Sequence, residues 1–239
     1  MVRIGVLTPH VAPGPEEEFA AMAPAQLTTL LVRISADPPT TPSPLRALTG
    51  SALDRAAAVF ADEPVDVVGY ASTSTAYALG FEAEVGMVSR LSGLIGVPVA
   101  STSASAVRAL RVLDVERVAL IEPPWFDAEL NELGVTYFQS QRFDVVSSES
   151  AELSQDPLLI EPADVVDWTL RHAPDEAEGV FFGGNGFRAA AAIDALERAI
   201  GRPVLTSNQV LLWSLLARAD TAFEVAGYGR LFAHAAPDV

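Results

Sequence analysis

The sequence predicts an α/β fold of two similar lobes, each built on a parallel β-sheet, and three observations support this prediction. Short β-branched segments alternate with longer segments rich in Ala and Leu, as in parallel α/β proteins. The same succession of elements occurs twice along the chain. The length of 239 residues suits two lobes, since a domain typically has about 100–200 residues.

Eight segments have the length and the β-branched content of buried strands. In chain order they are residues 2–7, 27–34, 65–70, 97–100, 117–121, 142–147, 179–182 and 203–205. Between them lie segments with helical patterns of apolar residues, at 53–61, 76–94, 104–113, 127–139, 163–172, 189–200 and 209–219. The Pro-rich stretch 37–44 is predicted to be a surface loop.

The internal repeat consists of a strand, a small-residue turn, a helix, a second strand, a Ser/Thr/Asn turn and a second helix. Residues 65–74 correspond to 179–186, and residues 96–103 correspond to 201–208. If the two sheets face each other, both turns lie at the carboxyl ends of strands, where such folds bind ligands. The alternative is that these turns contain small polar residues only because such residues cap helices. We place the N-terminal lobe at residues 1–113, completed by residues 220–239, and the second lobe at residues 114–219.

The composition excludes several partners and chemistries. Fifteen basic against 31 acidic residues give a net charge of −16, so we expect neither nucleic acid nor an anionic membrane surface as a partner. The chain has no cysteine and no lysine, which excludes thiolate chemistry, a lysine Schiff base with pyridoxal phosphate and a Walker A lysine. The three histidines lack metal-ligand spacing, so we expect no metal and no organic cofactor.

The start of the chain and its apolar segments predict the compartment. Met1 leads directly into the first predicted strand, without the features of a signal peptide. No run approaches the roughly 18 apolar residues of a membrane span. We therefore expect a soluble, cytoplasmic protein, and a homo-oligomer because closed homo-oligomers are common among soluble proteins.

A run of four hydroxyl side chains, Ser72-Thr73-Ser74-Thr75, follows the third predicted strand and opens a helix. Because the first N–H groups of a helix have no intrahelical partner and lie at its positive end, this turn is suited to an anion. A carboxylate fits better than a phosphate, since the turn has neither a Gly-rich cradle nor an Arg clamp. The alternative is a simple N-cap, which needs only one of the hydroxyls.

The corresponding turn of the second half reads Gly-Gly-Asn-Gly-Phe-Arg at residues 183–188. Its glycines allow the backbone to approach a ligand closely, and Asn185 can donate and accept hydrogen bonds. The spacing differs from Gly-x-Gly-x-x-Gly, so a dinucleotide is not indicated. Arg188 can pair with a substrate carboxylate or form a surface ion pair, and the sequence leaves both open.

Several motifs together resemble a known group of enzymes. Residues 70–74 read Tyr-Ala-Ser-Thr-Ser and are followed by Tyr77 and Gly80. The turn at 183–188, the segment 201–209 with Trp213, the start at 4–9 and the end at 227–232 complete the pattern. The chain resembles the aspartate/glutamate racemase superfamily, within it the branch of maleate cis–trans isomerases and arylmalonate decarboxylases. This resemblance implies two Rossmann-like (flavodoxin-like) lobes related by pseudo-two-fold symmetry, with a cofactor-free active site for a small carboxylic acid in the cleft between them.

The resemblance also assigns roles to residues of both turns. The two positions that carry catalytic cysteines in the racemases fall on Ser72 and Gly184. Thr73 and Ser74 match the pair that binds a carboxylate or dioxyanion, and Asn185 and Gly186 stand in the second turn as further substrate-binding residues. Trp125 falls where the family has a tyrosine that helps to hold a carboxylate. A polar residue of the family's first loop is replaced near His10.

Without thiols, other groups must move protons. The Ser72 hydroxyl is far less acidic than a thiol and needs an adjacent base. His10 follows the first predicted strand and Glu122 ends the fifth, so both lie where parallel strands end. The alternatives are an exposed loop position for His10 and a capping role for Glu122.

Three functions remain open at this point. The first is a cofactor-free isomerase or decarboxylase that stabilises an enediolate with the Thr73 and Ser74 hydroxyls and turn N–H groups. The second is a carboxylate-binding protein that has kept the fold and lost catalysis. The third is a different hydrolase or lyase in which a base activates Ser72.

Overall fold

The chain folds into two parallel four-stranded sheets. The computed structural model describes residues 1–9, 11–23, 25, 27–35, 41–221 and 225–236. The strands are β1 (Val2–Thr8), β2 (Leu27–Arg33), β3 (Val67–Tyr70), β4 (Val99–Ser101), β5 (Arg117–Glu122), β6 (Asp144–Ser150), β7 (Gly179–Phe182) and β8 (Val204–Thr206). The eight predicted strands are confirmed, with ends within three residues of those predicted.

The order of the strands confirms the internal repeat and the predicted fold class. The first sheet has the order β2-β1-β3-β4 and the second has the order β6-β5-β7-β8, with parallel pairing throughout. Each strand of the first sheet thus has its counterpart four strands later. In each sheet the first strand lies between the second and the third, so the chain reverses its direction across the sheet after the second strand. This reversal creates a switch point at the carboxyl ends of the strands.

Eleven α-helices connect the strands of the described chain. They are α1 (Pro15–Met22), α2 (Pro42–Leu48), α3 (Ser51–Ala57), α4 (Val59–Asp62), α5 (Thr73–Leu79), α6 (Phe81–Ile95), α7 (Thr102–Val112), α8 (Ala128–Ser140), α9 (Pro162–His172), α10 (Ile193–Ile200) and α11 (Ser207–Arg218). Short 3-10 helices occupy Pro157–Leu159, Ala190–Ala192 and Leu231–Ala233. Among the residues described, no helix has the length and apolar character needed to span a bilayer.

The helices differ from the prediction at several places, and the single helix predicted at 53–61 is divided into α3 and α4. The helix predicted at 76–94 begins at Thr73 and is interrupted at Gly80, whose φ of 80° separates α5 from α6. The loop predicted at 37–44 is wrong at its end, because Pro42 opens α2 with a fixed φ suited to a first helical turn; residues 37–40 lie outside the described residues. Helix α1 was not predicted, since its start of Pro15 and three glutamates resembles a solvated loop.

The last helix of each half packs against the sheet of the other half. Ala106, Val107 and Leu110 of α7 share a core with Val118, Phe181 and Leu205 of the second sheet. In α11, apolar side chains of the segment from residue 211 to residue 216 share a core with β1 and β3 of the first sheet. This exchange buries both helices between the two sheets. The lobe limits of 1–113 with 220–239 and of 114–219 remain a prediction.

Candidate active site

The first turn is a buried cluster of hydroxyl groups at the start of α5. Ser72 is the N-cap: its Oγ accepts the Thr75 N–H at 3.2 Å and donates to Thr75 Oγ1 at 2.9 Å. Ser74 Oγ lies 3.2 Å from Ser72 Oγ. Within the described residues no carboxylate or imidazole is hydrogen-bonded to Ser72. The Ser72 hydroxyl is therefore occupied by helix capping.

The structure brings the second turn into direct contact with the first. The Gly184 N–H donates to Thr73 Oγ1 at 2.8 Å, across 111 positions of sequence. Thr73 is fully buried and keeps its own hydroxyl hydrogen for a further acceptor. The N–H groups of Asn185 and Gly186 donate to no described residue. The two turns are therefore in contact, and both carry donors that are unpaired among the described residues.

Gly184 has a backbone conformation that disfavours a side chain. Its φ is 77°, in the left-handed region, and an added Cβ would lie 2.7 Å from Pro123 Cγ. The position that the resemblance pairs with the second family cysteine is therefore filled by Pro123. A side chain at 184 would need both a strained backbone and a displaced loop.

A buried hydrogen-bond network fixes the orientation of Asn185. Asn185 Nδ2 donates to Asn208 Oδ1 at 2.8 Å and to Thr102 Oγ1 at 3.1 Å. Asn208 Nδ2 in turn donates to Glu18 Oε2 at 2.7 Å and to the Asn185 carbonyl at 2.9 Å. Because a carboxylate oxygen accepts, Glu18 sets the orientation of the Asn208 amide, which sets that of Asn185. Both hydrogens of the Asn185 amide are therefore used within the protein, and this residue positions the turn.

Sequence reasoning did not identify Glu18, Thr102 or Asn208 as part of this site. Thr102 and Asn208 occupy equivalent turns of the repeat, and that equivalence was the available signal. No comparable sequence signal marks Glu18, because it ends a run of three glutamates that is typical of an exposed helix face. Its carboxyl is nevertheless buried and also accepts the Ala190 N–H at 2.7 Å.

Of the other predicted site residues, Trp125 and Arg188 lie at the edge of this region, and His10 is not among the described residues. Trp125 is half-buried over the second turn: its Cζ2 would lie 3.6 Å from a Cβ at Gly186, and its ring meets Phe187 edge-on at 6.2 Å. Arg188 forms an ion pair with Glu17 at 2.7 Å, the surface alternative left open above. His10 lies outside the described residues, so its role stays a prediction.

Glu122 ends β5 below the second turn. Its side chain is fully buried, and its Oε1 accepts the Tyr77 hydroxyl at 2.9 Å. Its Oε2 would lie 1.8 Å from a Cβ at Gly183, so the carboxyl group occupies the space of a side chain there.

No cluster of three or more metal-ligating side chains is found among the described residues.

Comparison with known proteins assigns the chain to a family. A family model described as arylmalonate decarboxylase matches residues 49–232, which include both turns and Trp125. The chain belongs to the arylmalonate decarboxylase family. Maleate isomerase of Pseudomonas putida is 26% identical over 200 residues, covering 76% of this chain and 75% of that protein. Arylmalonate decarboxylase of Bordetella bronchiseptica is 25% identical over 171 residues, covering 70% of each.

Solved structures show the same fold along nearly the whole length of this family member. Maleate isomerase of Pseudomonas putida bound to maleate superposes with a TM-score of 0.85 at 23% identity, covering 97% of both chains. Maleate cis–trans isomerase of Nocardia farcinica, as a cysteine-to-serine mutant carrying a covalent succinylcysteine intermediate, gives a TM-score of 0.86 at 23% identity, covering 97% of this chain and 98% of that one. These similarities confirm the predicted two-lobed fold.

Two of the carboxyl groups with raised pKa values in this arylmalonate decarboxylase family member lie beside the second turn. Burial raises the pKa of Glu122 to about 8, against the opposing effect of the Tyr77 hydrogen bond. Burial also raises the pKa of Glu18 to about 7, although the bonds from Asn208 and Ala190 favour its charged form. Both groups therefore bind a proton more tightly in the folded chain than in the unfolded one, whose carboxyls have a pKa of 4.5.

These two groups predict how stability depends on pH. Between about pH 4.5 and pH 8 the folded chain holds more protons than the unfolded chain, so the free energy of unfolding falls as pH rises. Each group contributes a slope of about 1.4 kcal/mol per pH unit within its own window. Urea unfolding of wild type and of Glu122→Gln across this range measures the slope. We expect a shallower slope for the variant, and equal slopes would contradict a neutral Glu122.

Proposed function

We propose that this chain is a cofactor-independent enzyme that acts on a small mono- or dicarboxylic acid through an enediolate-like intermediate, without a cysteine acid or base. Family membership supports the reaction class, and the Thr73–Gly184 contact carries the proposal for the site. This contact joins the turn that carries the hydroxyls of Thr73 and Ser74 to the turn of Asn185 and Gly186, whose N–H groups have no partner among the described residues. Trp125 supplies an aromatic wall beside them.

The proposed reaction is a decarboxylation. The bond between the α-carbon and one carboxylate breaks, carbon dioxide leaves, and the electron pair moves onto the remaining carboxylate as an enediolate. Preorganised hydroxyl and N–H donors stabilise the negative charge that develops on these oxygens. A proton then adds to the α-carbon. Since the donors are uncharged and local, they act against the net charge of −16, whose effect on the substrate is screened beyond roughly 10 Å.

A carboxylate-binding protein without catalysis is the second candidate, and one observation favours it. The hydroxyl of Ser72 is committed to capping α5, and Gly184 has no side chain, so neither family cysteine position offers a proton-transfer group. A hydrolase or lyase that uses Ser72 as nucleophile is less well supported, because no base is hydrogen-bonded to Ser72 in the described structure.

A ¹H NMR time course in deuterated water tests the proposal. The substrates are maleate, methylmalonate, phenylmalonate, aspartate and glutamate, each incubated with wild-type protein. We expect deuterium at the α-carbon, or loss of a substrate signal, for at least one malonate. Thermal shift with the same acids separates the two candidates. Stabilisation without turnover of any acid would overturn the enzyme and support the binding protein.

A further inference from the structure

The Glu122 carboxyl is a buried acid whose two oxygens have unlike surroundings. Oε1 accepts the Tyr77 hydroxyl at 2.9 Å. Oε2 has no hydrogen-bond partner among the described residues, although the side chain is fully buried. An ionised carboxylate in this position would leave one oxygen with neither water nor a donor. Protonation on Oε2 removes the buried charge, and no described residue accepts the hydrogen on Oε2.

This free oxygen lies directly against the second turn. Oε2 fills the place of a Gly183 side chain, and Gly183 precedes Gly184, whose N–H is bonded to Thr73. The next residue of the Glu122 strand end, Pro123, fills the place of a side chain at Gly184. Pro123 therefore occupies the side-chain space of position 184, where the resemblance puts a thiol. Glu122 occupies the side-chain space of position 183, directly before it.

The elements around Glu122 hold it without adding a cation. Tyr77 of α5 donates to it, and the Tyr77 ring packs so closely on Gly134 of α8 that an added Cβ would lie 2.8 Å from its Cε2. Beyond Tyr77, the next titratable groups are Tyr137, whose ring centroid is 5.8 Å from that of Tyr77, and Glu84, which accepts the Tyr137 hydroxyl. Arg108 acts electrostatically on Glu84 and Tyr137, but no positive charge among the described residues stabilises the ionised form of Glu122 itself.

We propose that Glu122 is the proton donor of this site and takes the role of the missing thiol. The inference rests on the proposed function. After carbon dioxide leaves, the enediolate electron pair forms a bond from the α-carbon to the proton of Glu122 Oε2, and the O–H bond breaks. Glu122 becomes a carboxylate, product leaves as the carboxylate of the protonated acid, and a solvent proton restores Glu122. No oxidant or further reactant is needed. Tyr77 is the positioning residue that holds the carboxyl against Gly183.

Glu122→Gln tests the donor, because glutamine keeps the shape and the acceptor for Tyr77 but has no acidic proton. We expect kcat to fall at least about 100-fold on the acid that wild type converts, the usual contribution of a general acid. KM should stay within about threefold, since the hydroxyl donors are intact. Glu197→Gln is the matched control. It changes another buried carboxyl, which accepts the N–H of Val204 at the opposite, amino end of β8, and it should keep kcat within about threefold.

Tyr77→Phe provides a second test through the pH dependence of kcat, which would not change if Glu122 had only a structural role. The donor must be protonated, so kcat should fall as pH rises through about 8, where burial places the pKa of Glu122. The Tyr77 hydrogen bond lowers this pKa, so its removal should shift the alkaline limb of the profile to higher pH. This measurement also decides the inference if Glu122→Gln does not fold.

The outcomes separate the two proposals. Turnover by wild type with an unchanged kcat in Glu122→Gln would overturn the role of Glu122 and leave the proposed function standing. An alkaline limb that does not move in Tyr77→Phe would overturn it as well. No turnover of any panel acid by wild type would overturn the proposed function and the proton donor together.

Discussion

Thr73→Val is expected to lower kcat by about 10²–10³-fold, the usual cost of losing one donor to a developing oxyanion. Valine keeps the volume of the buried side chain but removes the hydroxyl. The variant loses a donor to the substrate, and the Gly184 N–H loses its acceptor at 2.8 Å. The second turn is then released from the first, so that KM should rise as well. Steady-state kinetics on the converted acid measure both effects.

Thr169→Val is the matched control for this prediction. Thr169 is also fully buried, but its hydroxyl donates only within α9, to the Val165 carbonyl at 2.7 Å. We expect wild-type kinetics for this variant and a small loss of stability of about 1 kcal/mol. Equal kinetics for the two variants would show that the Thr73 hydroxyl has no special role, and would remove the main support for the proposed site.

Gly183→Ala is expected to abolish turnover and to destabilise the fold by about 1–3 kcal/mol, the range for overpacking a well-filled core. The added methyl group would lie 1.8 Å from Glu122 Oε2 and 2.7 Å from its carboxyl carbon. The Glu122 side chain must leave its position, and its bond from Tyr77 is lost with it. Kinetics and urea unfolding together measure this effect.

Gly86→Ala controls for the loss of a glycine elsewhere. Gly86 lies on the exposed face of α6, where an added Cβ meets nothing within 4 Å. Since alanine is the better helix former, this variant should gain up to about 1 kcal/mol and keep its activity. A Gly183→Ala protein that is as active as Gly86→Ala would mean that the carboxyl of Glu122 is not needed against the second turn.

Local sequence patterns predicted the eight strands, their order along the chain and most of the helical segments. β-branched strand runs and amphipathic helices report burial through residue spacing alone, and the repeat of these runs predicted two equivalent sheets. The patterns failed where chain geometry was set by single residues. Gly80 interrupts a helical pattern without breaking its apolar spacing, and Pro42 begins a helix within a run that resembles a loop.

The two turns of the candidate site were singled out from the sequence, since turns that follow parallel strands meet at one edge of a sheet. The use of each side chain within them was not predicted. Asn185 and Ser72 look alike as polar turn residues, yet one is consumed by a buried amide network and the other by a helix cap. The partner of Ser72 is Thr75, three residues away, whereas the partners of Asn185 are Thr102 and Asn208, which are distant in sequence.

The sequence by itself determined the alternation of strands and helices, the repeat, the absence of thiol and lysine chemistry, and the choice of the two turns as the candidate site. These are properties of spacing and composition, which need no knowledge of distant neighbours. Only the tertiary structure decided that Gly184 reaches Thr73, that Glu18 orients the second turn, and that Glu122 is fully buried with one oxygen unpaired among the described residues. Burial and hydrogen bonding of a charged group depend on residues brought close by folding, and acidity at this site follows from that burial.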